Sequence, residues 1–142
     1  MPKLHRYKIF ISHAWQYNAD YNQLVNRLDE TRNFLYANYS VPEHNPVDAY
    51  NNTKLKEELR EQIRPVEVVI ILGGTYVASS DWIQFELDFA KHLNKPILGV
   101  RPWGTVKIPD AVQDAADEIV GWNAPTIVSA IQRLAQNGIT EI

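Results

Sequence analysis

The chain contains no cysteine, which removes disulfides, thiolate metal ligands and a cysteine nucleophile from consideration. Histidine is sparse as well: His5, His13, His44 and His92 are scattered, and no pair has a metal-ligand spacing such as HExxH. No apolar run approaches the roughly 18 residues that a membrane span requires. The opening segment MPKLHRYKIF is too short and too polar ahead of its strand to read as a signal peptide. A cytoplasmic location is therefore expected, and the sequons Asn38-Tyr39-Ser40 and Asn51-Asn52-Thr53 carry no weight there. An excess of positive charge is also missing. With 14 Lys and Arg against 17 Asp and Glu, the net charge is −3, so no domain-wide positive field exists to hold nucleic acid or an anionic membrane. Neither partner is expected. Internal repeats, low-complexity tracts and linker-like stretches are absent too.

What is present is an ordinary globular chain. Its 142 residues, 45% hydrophobic and 22% charged, suit one domain over 1–142 with a proper core. Reading for period gives alternating strands and helices. Tyr7 to Ser12 is a short apolar strand, and Leu24, Leu28 and Leu35 mark a helical stripe from Asp20 to about Tyr36. Ala37 to Val41 is a weaker strand. Leu55, Leu59 and Ile63 recur every four residues in a helix that Pro65 ends. Val66 to Leu72 is almost wholly apolar and β-branched, the mark of a central parallel strand covered on both faces. Gly73-Gly74 breaks it, permitting a tight turn without forming a dinucleotide fingerprint. A helix over Asp81 to Leu93 and a strand over Pro96 to Val100 follow. Ile108 to Ala116 reads as a short helix and Glu118 to Trp122 as a last strand. Pro125 opens a final helix with Ile127, Ile131 and Leu134 inward and Gly138 as its stop. Five strands alternating with about five helices predict a three-layer, flavodoxin-like α/β fold, a five-stranded parallel sheet with helices on both faces. Such sheets bind ligands beyond the carboxyl ends of their strands. The loops after Ser12, Val41, Leu72 and Val100 are therefore the ones of interest.

One carboxylate breaks the pattern. At about 100° per residue, Trp82, Glu86, Phe89 and Leu93 fall on one stripe of the third predicted helix. Ile83, Leu87 and Ala90 lie beside it, with Gln84, Asp88 and Lys91 opposite. Glu86 thus sits inside the apolar arc. A buried carboxylate is costly unless it has a partner, a raised pKa or a function. The plain alternative is a glutamate at the rim of the core, hydrogen-bonded to a nearby loop. Ser79, Ser80 and Asp81 all carry oxygens suited to capping this helix, and Trp82 alone suits a core position.

These residues resemble the TIR family. Lys8-Ile9-Phe10-Ile11-Ser12-His13 is similar to its opening box, a hydrophobic strand ending in a small polar residue. Ser80-Asp81-Trp82-Ile83-Gln84-Phe85-Glu86 resembles its Ser-x-Trp-x-x-x-Glu segment, in which the glutamate is catalytic in NAD-cleaving members. Lys95-Pro96-Ile97-Leu98-Gly99-Val100 resembles the box around the fourth strand. The match runs in order over nearly the whole chain and is nearest the bacterial TIR-like branch that serves Thoeris antiphage defence. Two features depart from the family. Ile83 stands where a cysteine is frequent, and the opening box lacks the usual aromatic and Asp.

The resemblance implies an enzyme that binds NAD as substrate, with no permanently bound cofactor, and breaks its nicotinamide–ribose bond with Glu86 as the catalytic carboxylate. Ser12, His13, Trp15, Ser80 and Trp82 become candidates for substrate contact. Ser12 could hold a phosphate or ribose oxygen, Trp15 could stack on a base, and Trp82 could wall the pocket. A turn serine, a structural histidine and a loop aromatic are the plain alternatives. The segment Pro42 to Asn52 corresponds to a loop that borders the pocket and mediates assembly in TIR domains, with Asn45 and Asp48 as candidate ribose contacts. Arg101 could bind phosphate, or pair with Asp110 at the rim. The resemblance further implies self-association through TIR surfaces, a phage-derived trigger, and a separate effector activated by an ADP-ribose-derived product. A non-catalytic TIR adaptor and a nucleoside deoxyribosyltransferase-like enzyme are the competing functions. A response-regulator receiver is disfavoured, because the third strand ends Leu72-Gly73 with no phosphoacceptor Asp. A flavodoxin is disfavoured because Ser12-His13-Ala14-Trp15 lacks a run of hydroxyls to wrap an FMN phosphate.

Overall fold

The structure is a computed structural model of the chain and describes residues 5–12, 19–39, 57, 60–72, 81–101 and 110–138. Its elements alternate: β1 (Arg6–Ser12), α1 (Ala19–Glu30), β2 (Leu35–Asn38), β3 (Val68–Leu72), α2 (Asp81–His92), β4 (Ile97–Val100), α3 (Asp110–Ala115), β5 (Glu118–Val120) and α4 (Ala124–Gly138). The strands form one sheet in the order β2-β1-β3-β4-β5, and every neighbouring pair is parallel. This is the flavodoxin-like doubly wound arrangement, whose strand order reverses between β1 and β3.

Strand alternation divides the core in two. Ile9, Ile11, Val68, Ile70, Leu98 and Val100 face one layer, where they meet Leu24 and Leu28 of α1 and Ile127, Ile131 and Leu134 of α4. Phe10, Val69, Ile71 and Ile97 face the other layer, with Leu87 and Ala90 of α2, Val112 of α3 and Ile63. All five residues of β3 are buried, as the continuous β-branched run requires of a strand covered on both faces. Each such side chain contributes about 1.5–3 kcal/mol through removal from water.

The predicted first helix proves shorter. It ends at Glu30, where the Thr31 N–H bonds to the Leu28 carbonyl and the Thr31 hydroxyl bonds to the Arg27 carbonyl. Asn33 then adopts a left-handed φ of 61°, and β2 starts at Leu35, two residues ahead of the expected strand. Leu35, seven residues beyond Leu28, fits the helical stripe but is 42% exposed, so periodicity alone overextended the helix. Residues 60–63 are helical and stop ahead of Pro65 as expected. At the other end of the sheet, α2 closes with a Schellman turn. The Lys95 N–H reaches the Ala90 carbonyl and the Asn94 N–H reaches that of Lys91, with Asn94 left-handed at φ 59°. Asn123 caps α4, its Oδ1 accepting from the Thr126 N–H at 3.0 Å. Among the described residues, no helix is long and apolar enough to cross a membrane.

Candidate active site

β1 brings Ser12 to the carboxyl edge of the sheet. Because side chains alternate along a strand, Ser12 faces the same side as Phe10, toward α2. Its register partner is Ile71 of β3, so Ser12 stands on the β1–β3 boundary where the strand order reverses. α2 returns from the carboxyl edge across that face and carries Glu86 in its second turn.

The two side chains meet there. The Ser12 hydroxyl donates to Oε1 of Glu86, a contact between residues 74 positions apart. Both are 2% exposed, and they are the buried polar and charged side chains among the described residues. The helical wheel is also as expected, with Gln84, Asp88 and Lys91 exposed and Leu87 and Ala90 buried beside Glu86. In a low-dielectric layer an unpaired hydroxyl or carboxylate costs about 1–3 kcal/mol or more, and direct pairing reduces that cost on both sides. A hydroxyl donor also favours the ionised carboxylate over the neutral acid. Burial acts in the opposite direction, so the pairing is what helps this carboxylate hold its charge at the crevice where doubly wound sheets bind ligands.

His13, Trp15, Asn45, Asp48 and Ser80 lie outside the described residues, as does Gly73-Gly74. Trp82 occupies the first turn of α2, one turn ahead of Glu86, and its side chain lies outside the described set. Arg101 follows β4 with an exposed side chain, and among the described residues no ion pair joins it to Asp110. Sequence reasoning offered Ser12 to a substrate oxygen and missed its bond to Glu86. The signal lies in the parity of Ser12 with Phe10 and in the inward arc position of Glu86.

An open cleft of about 520 Å³ lies at the opposite, amino edge of the sheet, among Lys91, Asn94, Lys95, Pro96, Asp117, Glu118 and Leu134. Its acids already have structural duties. Asp117 accepts the Ile97 N–H at 2.8 Å, and Glu118 pairs with Arg133. Burial lowers the pKa of Lys95, opposed by the charge of Glu67. Its size does not make it the reactive site, because it lacks a buried polar group aimed into it.

The sequence model of the family described as Thoeris protein ThsB, TIR-like domain, matches residues 10–107. That span contains both Ser12 and Glu86. In structure the chain is similar to the CMP N-glycosidase BcmB of Clostridium botulinum, with a TM-score of 0.51 and 12% sequence identity. The superposition covers 88% of this chain and 98% of that one, a likeness of fold. No curated protein matches the chain by sequence.

Proposed function

The chain belongs to the TIR-like domain family of the Thoeris protein ThsB, and from that premise we propose that it is an NAD-consuming enzyme of antiphage defence. The reaction is cleavage of the nicotinamide–ribose bond. The observation that carries the reading is the buried Glu86 carboxylate, hydrogen-bonded by Ser12 across the β1–β3 crevice. An adaptor acting only by self-association has no need of such a group.

The chemistry follows from the substrate. NAD carries a cationic nicotinamide, so the departing ring takes the bonding pair, leaves neutral and needs no proton. Positive charge then develops over C1 and the ring oxygen of the ribose, as in other glycosidic cleavages. A fixed carboxylate in a water-poor crevice stabilises that charge far better than one in bulk water. Glu86 fills this role, while Trp82 of α2 would wall the pocket, Trp15 and His13 from the loop after β1 would stack on a base and accept from a substrate hydroxyl, and Asn45 and Asp48 would reach the ribose. Water, or a hydroxyl of the substrate itself, completes the bond at C1 and loses its proton. An ADP-ribose-derived product would carry the signal to a separate effector in the cytoplasm.

A second reading is cleavage of a nucleotide's base–ribose bond, because a CMP N-glycosidase shares the fold. One experiment separates them. The purified protein at high concentration is incubated with NAD or with CMP beside Glu86→Gln, and released bases are resolved chromatographically. Nicotinamide release that vanishes in the variant supports the first reading, and the co-product distinguishes hydrolysis, cyclisation and transfer. Cytosine release in place of nicotinamide supports the second. Absence of both, with and without lysate from phage-infected cells, favours the adaptor.

A further inference from the structure

We propose that Ser12 is the positioning residue of Glu86, orienting its carboxylate and sustaining its charge without itself holding substrate. This rests on the reading of Glu86 as the catalytic group. The hydroxyl donates to Oε1, so its single proton is committed to the carboxylate and is not offered to a ligand. Ser12 is fixed by β1, whose register against β3 sets it opposite Ile71. Glu86 is fixed by α2, whose Leu87 and Ala90 are locked into the core. The hydrogen bond therefore joins two rigid elements, and it selects one rotamer of a flexible side chain where charge would develop on the substrate.

The side chains packed on this face among the described residues are apolar, Phe10, Val69, Ile71, Leu87 and Ala90 among them, apart from the half-buried phenol of Tyr39. The packed elements carry charged groups of their own, and Glu67 ahead of β3 pairs with His5. Arg60 lies over the Phe89 ring, Asp88 accepts from Gln84, and Glu61 pairs with Arg64. Lys8, Lys91, His92, Asp110 and Asp114 are exposed. A hydroxyl donor in such a setting has a large effect on the ionisation of its acceptor.

The test compares wild type with Ser12→Ala and Ser12→Thr, each checked for folding by circular dichroism. The first readout needs no activity: the Glu86 carboxyl carbon is titrated by NMR, with Glu86→Gln assigning its signal. Ser12→Ala should raise the Glu86 titration midpoint by about one pH unit or more, and Ser12→Thr should return it toward wild type. The second readout is steady-state nicotinamide release. Ser12→Ala should lower kcat about 10- to 100-fold with KM little changed, and shift the acid limb of its pH profile upward with the NMR midpoint. An unchanged midpoint overturns the proposal. A raised KM with unchanged kcat also overturns it, because Ser12 would then be a substrate contact. If wild type releases no nicotinamide with or without lysate from phage-infected cells, the NAD reading fails on its own, and the titration still decides the role of Ser12. Should Ser12→Ala fail to fold, Ser12→Cys, close in shape with a far weaker donor, takes its place under the same criteria.

Discussion

Glu86 is a residue whose position conflicts with its chemistry unless something compensates, and the conflict is visible in the amino-acid sequence alone. Four-residue spacing from Trp82 and toward Ala90 puts a carboxylate where the helix is apolar, and the fold buries it to 2%. Its partner was not legible in the same way. Ser12 is 74 residues distant, and finding it requires both the parity of β1 and the placement of α2 over the β1–β3 boundary. Replacement of Glu86 by Gln keeps the shape and removes the charge. It should reduce nicotinamide release by at least about 100-fold, in line with losses of single preorganised electrostatic groups, while the melting temperature stays within a few degrees of wild type.

A second residue-scale prediction concerns pH. Burial, followed by the hydrogen bond to Asp29, raises the pKa of Tyr36 above its ordinary 10.0, and its hydroxyl donates to Asp29 at 2.6 Å. The folded state thus holds this proton more tightly than the unfolded chain. The stabilisation is complete below about pH 10 and is lost as pH rises above it. Denaturant titrations of wild type should show stability falling from about pH 10 upward, and Tyr36→Phe should lack that component of the fall. Lys95, with a pKa lowered from 10.5 by burial, acts in the opposite direction in both proteins, so their difference isolates the tyrosine.

At the scale of elements, turn chemistry decided what periodicity left open. The pattern of Leu28 and Leu35 fits a helix continuing to Tyr36, but Thr31 turns its hydroxyl back on the Arg27 carbonyl and Asn33 goes left-handed. Those residues end the helix locally, and β2 gains Leu35 and Tyr36. The strongly apolar segments, β3 and β4, were found within a few residues because burial on both faces leaves little ambiguity. Two substitutions probe the elements. Asn123→Ala removes the cap of α4 and should cost about 1 kcal/mol in urea unfolding. Gly99→Ala places a methyl 3.2 Å from Ile119 Cγ1 and 3.4 Å from Val112 Cγ1. It should destabilise by about 1–3 kcal/mol, because the Ile119 side chain of β5 must give way, and the loss is read as a lowered melting temperature.

For the whole molecule, alternation of strands and helices was enough to predict a parallel three-layer fold. The loops at its carboxyl edge were identified as the place for a site. Residues from those loops carry most of the remaining candidates, and their contacts depend on long-range placement that local pattern does not encode. The two layers of the core also separate stability from chemistry. Ile70 faces the layer of α1 and α4, away from Ser12 and Glu86. Ile70→Ala should cost about 2–5 kcal/mol, lowering the melting temperature while turnover per folded molecule remains near that of wild type.

The order β2-β1-β3-β4-β5 has a consequence for biosynthesis. The inner edge of β1 stays unpaired on the ribosome until β3 has emerged, because Ile9 must wait for Val68. Glu86 comes later still, so Ser12 and its carboxylate can meet only after both β3 and α2 have been translated. Nascent fragments and early-terminated products would lack the Ser12–Glu86 pair, so the buried carboxylate acquires its partner only in a chain translated past that point of α2.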